Sequence, residues 1–238
     1  MLVKYWMNKD VIGVDADDSM QKGVNLMKTH AARMLTVMKG KKLVGVVTDR
    51  DLKRASASDA TSLEIHELLY LISQIRIRDI MTPNVVTVKP DHTLEEAAAR
   101  LLTNSISGAP VVDEEGHVVG TISQAEIFMA LVSLSGYGKQ GIQLAFQIED
   151  QPGSVKKVTD IIRNHGGRIA SILTSTTRAP AGFRNLYVRA YDVDRSVVET
   201  LLDDLRTAAD VLYMVDHREN NRIVFADQPS FKRAASKS

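Results

Sequence analysis

The sequence of 238 residues contains no cysteine, which excludes disulfide bonds, thiolate catalysis and zinc sites built on cysteine. It also lacks any apolar run near the roughly 18 residues that would cross a membrane. The longest such run, residues 127–134, is interrupted by a serine. The N-terminal segment MLVKYWMNKDV has no apolar stretch of the secretory-signal type. We therefore expect a soluble, cytoplasmic protein.

Neither sign of charge dominates, since 30 basic residues stand against 29 acidic ones and leave a net charge of +1. Proteins that bind nucleic acid or anionic membrane surfaces carry a basic excess, so we expect neither kind of partner. Hydrophobic residues at 44% and charged residues at 25% are typical of a globular protein. The length exceeds that of one small core and favours two domains.

Catalytic motifs are absent as well. The six histidines are spread along the chain without the spacing of metal ligands, and H-E-x-x-H, G-x-S-x-G and P-loop motifs do not occur. Residues 136–141 match G-x-G-x-x-G, but a predicted helix precedes them and a predicted strand follows, the reverse of the dinucleotide-binding context. They are interpreted as a Gly-rich linker. We expect no metal site, no catalytic cofactor and no enzyme activity.

What the first half does contain is an internal repeat. The segment WMNKDVIGVDADDSM aligns with IMTPNVVTVKPDHTL at an offset of 74 residues, and KLVGVVTDRDL aligns with HVVGTISQAEI at an offset of 75. The second offset places Thr48 on Ser123 and Asp51 on Glu126. Self-similarity over this length indicates a duplication.

Each copy of the repeat predicts a strand, a helix, two strands and a second helix. Apolar residues of the second copy recur at helical spacing, which indicates a helix packed on one face: Leu94, Ala97, Ala98, Leu101 and Leu102. Two such copies bury their apolar sheet faces against each other and form one domain with pseudo-two-fold symmetry and two equivalent clefts. We assign residues 1–54 to the first copy, 55–76 to a helical connector and 77–135 to the second.

The pattern changes after the linker at 136–141. Residues 142–217 predict the order βαββαβ, which is that of a ferredoxin-like domain with its helices on one face of the sheet. The remaining residues, 218–238, are a polar tail whose end is expected to be disordered. The fold class is therefore α/β, more narrowly α+β, in two parts.

Two local motifs each have a functional and a structural interpretation. Residues 48–51 (TDRD) follow a predicted buried strand and open a helix, where a carboxylate can accept ribose hydroxyls and the helix N-terminus favours a phosphate. The alternative is a capping box, and it applies with more force to Ser123 and Glu126. The turn at 150–153 (DQPG) either brings a ligand to backbone amides or is ordinary turn chemistry.

These segments resemble known regulatory modules. The pieces IMTPNVVTV, ISGAPVVDEEGHVVGTIS and LVGVVTDRDLKRA closely resemble the CBS (Bateman) repeat, and DQPGSVKKVTDIIRNHGG resembles the start of an ACT domain. The order CBS–CBS–ACT is similar to that of the acetoin utilization protein AcuB family. The resemblance implies a homodimeric regulatory protein that senses an adenine nucleotide (AMP, ADP or ATP) and acts on an unidentified target. It also suggests a link to acetoin catabolism.

The resemblance implies a nucleotide site in which Asp51 and Thr48 hold the ribose, with Arg50 or Arg33 supplying a cation. The opposite copy then holds the adenine through six residues: Thr82, Asn84, Val86, Ile106, Ser107 and Gly108. A second site, related by the pseudo-symmetry, uses a matching set: Ser123, Glu126, Asn8, Ile12, Ala32 and Arg33. An amino acid would bind the ACT domain at its first turn, through Asp150, Pro152, Gly153 and Ser154.

The sequence departs from the CBS pattern in three places, all of which concern the second site. Glu126 replaces the aspartate, Thr36 stands where proline is usual, and Asn8-Lys9 replaces Thr-Pro. We therefore expect the Asp51 site to be the better one. The alternatives are a scaffold with degenerate sites, a sensor of S-adenosylmethionine or NADH, an enzyme, and a nucleic-acid regulator; the missing catalytic residues and the balanced charge argue against the last two.

Overall fold

A computed structural model describes residues 1–58 and 74–225, which fall in two compact units, Met1–Ala130 and Leu131–Ser238. Most of the predicted connector 55–76 lies outside the described residues, as does the end of the predicted tail. Within the described ranges no helix is long and apolar enough to cross a membrane.

The first copy of the repeat folds as predicted, with a three-stranded sheet and two helices. Its elements are β1 (Gly13–Asp15), α1 (Met20–Thr29), β2 (Met34–Lys39), β3 (Lys42–Thr48) and α2 (Asp49–Ser58). Strand β1 runs parallel to β2, and β2 runs antiparallel to β3.

The second copy begins with a one-turn helix and then repeats the arrangement. Its elements are α3 (Ile77–Ile80), α4 (Leu94–Thr103), β4 (Gly108–Val112), β5 (Val118–Ser123) and α5 (Gln124–Leu134). The start of α4 is set by a capping box, and β4 pairs antiparallel with β5.

The first strand predicted for the second copy is reduced to a single parallel bridge between Val88 and Val111. In the first copy the amide of Thr36 donates to the carbonyl of Ile12 at 3.1 Å and extends the β1–β2 ladder. Pro110 occupies the position equivalent to Thr36. Because proline has no amide hydrogen, it cannot make this bond, and the ladder stays one pair long.

The two copies exchange the segments that precede them. The backbone of Asn8 pairs with Thr121 of the second copy, and that of Thr82 pairs with Val46 of the first, with N···O distances of 2.8–3.1 Å. The cores exchange residues in the same way, because Ile77 is fully buried in the core of the first copy. These pairs obey the repeat offsets, so unit 1 has the predicted pseudo-two-fold symmetry.

Two equivalent glycines permit this exchange. A Cβ atom at Gly45 would lie 2.6 Å from Sδ of Met81, and one at Gly120 would lie 2.7 Å from Sδ of Met7. Neither distance is compatible with a side chain at the glycine unless the methionine moves. The exchanged segments therefore cross the hairpins where the sequence places glycine in both copies.

The second unit is an antiparallel sheet covered on one face by two helices. Its elements are β6 (Ile142–Glu149), α6 (Ser154–Asn164), β7 (Arg168–Ser175), β8 (Phe183–Tyr191), α7 (Val198–Ala208), β9 (Asp210–Asp216) and β10 (Asn221–Val224). The strand order is β10-β9-β6-β8-β7. The core lies between the sheet and the helices and is centred on Phe146, Ile162 and Leu205.

The predicted βαββαβ order is present, but the sheet gains a strand that was not predicted. Strand β10 lies in the segment 218–238 that we assigned to a polar tail, and the assignment is wrong for residues 221–224. The sequence NRIV has only one side chain, Ile223, packed against the core. Its pairing with the edge of β9 is what makes it a strand.

Candidate functional site

Asp51 lies in the first turn of α2, directly after β3 ends at Thr48. Its Oδ2 atom accepts hydrogen bonds from the amide and the hydroxyl of Thr48, at 3.0 and 2.7 Å. The amide of Asp51 in turn points to the Thr48 hydroxyl at 3.4 Å. Thr48 and Asp51 therefore form the predicted capping box. The box uses only one oxygen of the Asp51 carboxylate, Oδ2.

The second oxygen of Asp51 is bound by a cation from the next turn of the helix. Nη2 of Arg54 donates to Oδ1 at 2.7 Å. The Asp51 side chain is 11% exposed, whereas that of Arg54 is 74% exposed. The carboxylate is thus held in place from the solvent side. Sequence reasoning did not single out Arg54, although its i,i+3 spacing from Asp51 is a recognised ion-pair signal.

The two predicted cations are both near this helix start. The amide of Asp49 donates to the carbonyl of Arg33 at 3.2 Å, which fixes the residue before β2 beside the start of α2. Arg50 lies in the first turn of α2 itself. Both side chains are exposed to solvent.

The structure brings Thr82 of the opposite copy to the strand that leads into this helix, but not the residues that follow it. Because Thr82 pairs antiparallel with Val46, the chain that follows Thr82 runs away from Thr48 towards the start of β3, where Asn84 and Val85 share a cavity with Leu43 and Val44. Asn84 adopts a left-handed conformation with φ of 55°, which turns the chain, and Val86 is half-buried.

The turn before β4, residues 106–108, is hydrogen-bonded to the start of α5, the second helix of its own copy. The carbonyl of Ser107 accepts from the amide of Gln124 at 3.0 Å, and Gly108 pairs with Ser123. Ile106 packs on the core of its own copy. Within residues 1–58 and 74–225, no hydrogen bond joins this turn to Asp51. The arrangement matches that of Arg33 beside Asp49 in the first copy, as the pseudo-symmetry requires.

The second predicted site has the same cap. Oε2 of Glu126 accepts from the amide of Ser123 at 2.7 Å and from its hydroxyl. Asn8 lies alongside β5 as Thr82 lies alongside β3. The carbonyl of Ile12 accepts from both the amide and the hydroxyl of Thr36, and Ala32 is half-buried at the end of α1.

A cavity of about 760 Å³ lies elsewhere in unit 1, at the tips of the two hairpins. It is lined by Lys41, Lys42, Leu43, Val44, Asn84, Val85, Thr87, Val112, Glu115, Gly116 and His117. Only Asn84 belongs to a predicted site, so sequence reasoning missed this cavity. Asp113, Glu115 and His117 come within cation-sharing distance at its rim, but the amide of His117 already binds Asp113 in an ordinary turn.

The predicted turn of the third segment is a tight start to α6. Gly153 has φ of 90°, which explains the glycine without any ligand, and open space lies beside its Cα. Asp150 forms an ion pair with Arg184 of β8, with Nε at 2.7 Å from Oδ1. Pro152 is exposed and Ser154 is buried.

A second cavity, of about 370 Å³, lies next to this turn and shares Ser154 with the predicted set. Lys157 lines it on the side of α6, and Arg206 lines it at the end of α7. Glu149 and Asp210 line the side formed by the strand ends. Groups of both signs therefore face one cavity, as the recognition of a zwitterion requires.

Ser135, the residue that precedes the predicted Gly-rich linker, is held on the sheet of unit 2 by a buried arginine. Arg189 is only 4% exposed, and it donates from Nε to the carbonyl of Ser135 and from Nη2 to Gln143, both at 2.9 Å. Burial lowers the pKa of Arg189. Burial and the nearby charge of Arg189 also lower the pKa of His217, whose ring meets that of Tyr137 edge to face.

Comparison with known proteins identifies the modules. The CBS domain model matches residues 3–58 and 77–133, and the ACT domain model matches residues 142–210. An inosine-5'-monophosphate dehydrogenase of Korarchaeum cryptofilum is 32% identical over 120 residues, which are 50% of this chain and 22% of that enzyme. The chain thus spans about a fifth of the length of that relative.

Solved structures of CBS proteins are similar to a little over half of this chain. The CBS domain pair of protein MJ0100, in complex with 5'-methylthioadenosine and S-adenosyl-L-methionine, is 27% identical; the alignment covers 55% of this chain and 99% of that one, with a TM-score of 0.48. A putative acetoin utilization protein (AcuB) of Vibrio cholerae is 23% identical, with 56% and 92% covered and a TM-score of 0.47. The two family models, and not these structural alignments, show that the chain belongs to the CBS-domain proteins and that its pair of CBS repeats is followed by an ACT domain.

Proposed function

We propose that this protein is a regulatory ligand sensor, not an enzyme, and that its CBS pair binds an adenine nucleotide at Asp51. The observation that carries the proposal is the placement of this carboxylate. It is nearly buried at a helix start, and Thr82 of the opposite copy pairs with Val46 in the strand that precedes this helix. Both matched families, CBS and ACT, are regulatory modules.

The groups around Asp51 suit the parts of a nucleotide. Asp51 and Thr48 offer a carboxylate and a hydroxyl for the ribose, and the start of α2 favours a phosphate. Arg33 and Arg50 are exposed on either side of that helix start and can pair with the phosphate. From the opposite copy, the backbone at Thr82, which pairs with Val46 two residues before Thr48, is proposed to contact the adenine ring.

The pseudo-symmetric site at Ser123 and Glu126 is proposed as a second, weaker nucleotide site. Its carboxylate is one methylene longer, which pushes the oxygens into the space of the ribose. The ACT domain is proposed to bind an amino acid beside the turn at Asp150 and Gly153. The cavity of about 370 Å³ with charges of both signs supports this proposal.

The α5 helix supports a homodimer. It presents five large apolar side chains that are 44–60% exposed: Phe128, Met129, Leu131, Val132 and Leu134. Large apolar side chains exposed in this number are typical of interaction sites, and we propose that a second copy of the chain covers those of α5. Ligand binding would then shift the population of dimer states that a target protein recognises. We also propose a target in acetoin catabolism, solely because the CBS–CBS–ACT order in the sequence resembles that of the AcuB family.

The domain boundaries are part of the proposal. We propose CBS repeats at 1–54 and 77–135, joined by the connector 55–76, and an ACT domain at 142–217 to which β10 adds a strand.

A thermal-shift panel of AMP, ADP, ATP, NADH, S-adenosylmethionine and the common amino acids tests the proposal. A ligand at about 100 times its Kd stabilises by roughly 2.7 kcal/mol, which raises the Tm by about 2–4 °C per kcal/mol for this size. Asp51→Ala is expected to abolish the shift given by a nucleotide. Asp49→Ala is the matched control, because Asp49 is in the same helical turn but pairs outward with Lys53.

The second candidate function is a scaffold with degenerate sites, which the complete cap between Thr48 and Asp51 favours. If no nucleotide shifts the Tm of the unaltered protein, the sensor proposal fails and the scaffold remains. A nucleotide shift that survives in Asp51→Ala would place the site elsewhere.

A further inference from the structure

Arg189, on β8 in the sheet of the second unit, is a buried cation without a carboxylate partner. The residue is 4% exposed. Its side chain donates to two oxygens, the carbonyl of Ser135 and the amide oxygen of Gln143, both at 2.9 Å. Neither acceptor carries a charge. Among residues 1–58 and 74–225, no Asp or Glu forms an ion pair with Arg189.

Other arginines of the same unit have a carboxylate. The side chain of Arg218 is 21% exposed, and Asp216 binds it at 2.8 Å. Arg184 pairs with Asp150 in the same way. An arginine is almost never as buried as Arg189 unless it is paired, because a charge that leaves water loses its hydration. Arg189 is therefore a positive charge that the described part of the chain does not balance.

The unused donors of this guanidinium suit a carboxylate. A guanidinium has five N–H groups in a planar fork, and the bonds to Ser135 and Gln143 use one on Nε and one on Nη2. Nη1 is buried and has no hydrogen-bond partner among the described residues. Three N–H groups therefore remain, two on Nη1 and one on Nη2. Neighbouring N–H groups of this kind bind a carboxylate in a bidentate manner.

A second unpaired nitrogen belongs to His217, which follows β9 in the same sheet. Its Nε2 atom is buried and has no hydrogen-bond partner in the described ranges. The ring of Tyr137 contacts both groups, since its centroid lies 5.6 Å from the guanidinium carbon of Arg189 and 5.7 Å from the centroid of the His217 ring. Burial and the charge of Arg189 lower the pKa of His217, so the two groups are close enough to interact.

Tyr137 covers these nitrogens from the outside of the unit. Its side chain is 61% exposed, and it lies between two glycines. A Cβ atom at Gly136 would come within 3.4 Å of Cδ of Arg189, so glycine allows the segment to lie on the arginine side chain. A Cβ atom at Gly138 would meet nothing within 4 Å. Rotation of the tyrosine therefore uncovers Arg189 and His217 without opening the core.

We propose that Arg189 and His217 form a binding site for a small carboxylate, which the ring of Tyr137 covers. The carboxylate accepts from the terminal nitrogens of Arg189 and from Nε2 of His217, and its charge balances the buried guanidinium. Because these nitrogens are buried, the ligand is a short-chain carboxylate, of which acetate is the simplest probe. The site is separate from the nucleotide site at Asp51 and from the cavity of about 370 Å³, whose lining does not include Arg189.

Melting curves of the full chain test the inference in three sodium salts at pH 7 and equal ionic strength: acetate, chloride and the bulky sulfonate MES. With a Kd of about 10 mM, acetate at about 100 mM is expected to raise the Tm by roughly 3–6 °C above the value in the sulfonate. Chloride supplies the charge but cannot accept a bidentate pair of hydrogen bonds, so its shift is expected to be smaller.

Variants of Arg189 locate the site. Arg189→Gln removes the charge, and Arg189→Lys keeps the charge but not the planar fork. Arg168→Gln is the matched control, because Arg168 lies on the neighbouring strand β7, is exposed and already pairs with Asp192. The general effect of acetate as a salt is common to all of them. We expect the acetate shift to vanish in Arg189→Gln, to shrink in Arg189→Lys and to stay unchanged in Arg168→Gln.

An NMR titration of the unaltered protein gives a readout that needs no variant at Arg189. Bound acetate places a negative charge beside His217 and offsets the effect of Arg189, so we expect it to raise the pKa of the imidazole. Arg222 and Asp216 also act on His217, and they are the same in both salts. The exposed His30 of the first unit is the internal control. If the Arg189 variants do not fold, this measurement decides alone.

Four results would overturn the inference. An acetate shift that survives in Arg189→Gln would place the anion elsewhere, such as beside Lys157 and Arg206 in the cavity of about 370 Å³. Equal Tm values in acetate and in the sulfonate would mean that water satisfies the buried nitrogens. An unchanged pKa of His217 in acetate would exclude the contact with its ring. A chloride shift as large as that of acetate would show a general anion site. None of these results bears on the nucleotide site at Asp51.

Discussion

The crossing of the exchanged segments over Gly120 leads to a stability prediction. In Gly120→Ala the new methyl group would lie 2.8 Å from the carbonyl oxygen of Asn8 and 2.7 Å from Sδ of Met7. The methionine can move, since its side chain is flexible. The carbonyl cannot move at low cost, because it accepts from the amide of Thr121 at 2.9 Å. The substitution therefore strains the pairing that joins the two repeats.

The magnitude follows from two contributions. Overpacking of this kind costs about 1–3 kcal/mol, and a weakened backbone hydrogen bond costs about 0.5–1.5 kcal/mol. We expect Gly120→Ala to lower the free energy of unfolding by roughly 2–4 kcal/mol, measured by urea denaturation. Gly45→Ala should cost less, because its nearest backbone atom, the carbonyl oxygen of Thr82, is 3.1 Å away and only Met81 comes closer.

Gly13→Ala is the control within the same unit. Its methyl group would meet only ordinary contacts of 3.5 Å or more, and a compatible Gly→Ala change stabilises by about 0.4–1 kcal/mol through the unfolded chain. The expected order of stability is Gly13→Ala, then Gly45→Ala, then Gly120→Ala. Equal stability of the Gly120 and Gly13 variants would refute the reasoning, since it would mean that Asn8 does not approach β5 closely.

Two other predictions concern the second unit and the apolar helix. Folding lowers the pKa of His217, so the unfolded chain binds a proton at this imidazole more readily than the folded protein does. The free energy of unfolding therefore falls as the pH drops below the unfolded pKa of about 6.5. In urea titrations between about pH 7 and 5, His217→Gln should reduce this loss of stability, whereas the control His30→Gln, at an exposed position, should not. Phe128→Glu should shift the mass measured by light scattering from dimer to monomer, and an unchanged dimer would show that α5 is not the interface.

Much of the fold could be read from local patterns. The stripe from Leu94 to Leu102 predicts α4, and the segment DVLYMVD is β9 residue for residue. The sequence also explains why the first predicted strand of the second copy is reduced to the bridge at Val88, because Pro110 lacks the amide hydrogen that would extend the pairing. Strand β10 had no comparable pattern, since a single apolar residue cannot show a period.

The sequence predicted the candidate nucleotide sites only in part. The motifs at Thr48 and Ser123 predict a carboxylate at each helix start, and the structure contains both. The same motifs could not show whether the carboxylate caps the helix or meets a ligand, because both roles use the same residue types. The predicted linker 136–141 carried no sign that Ser135 is bound by Arg189, since 54 residues separate them.

The duplication, the helix starts and the class of each unit follow from the amino-acid sequence, because hydrophobic periods and capping bonds act between residues three or four positions apart. The long-range contacts were decided only by the tertiary structure. It placed Ile77 in the core of the first repeat, brought Asn8 to within hydrogen-bond distance of Thr121, and buried Arg189 under the segment that precedes the ACT domain. Such contacts join residues far apart in the chain, and they exist only after both repeats have packed.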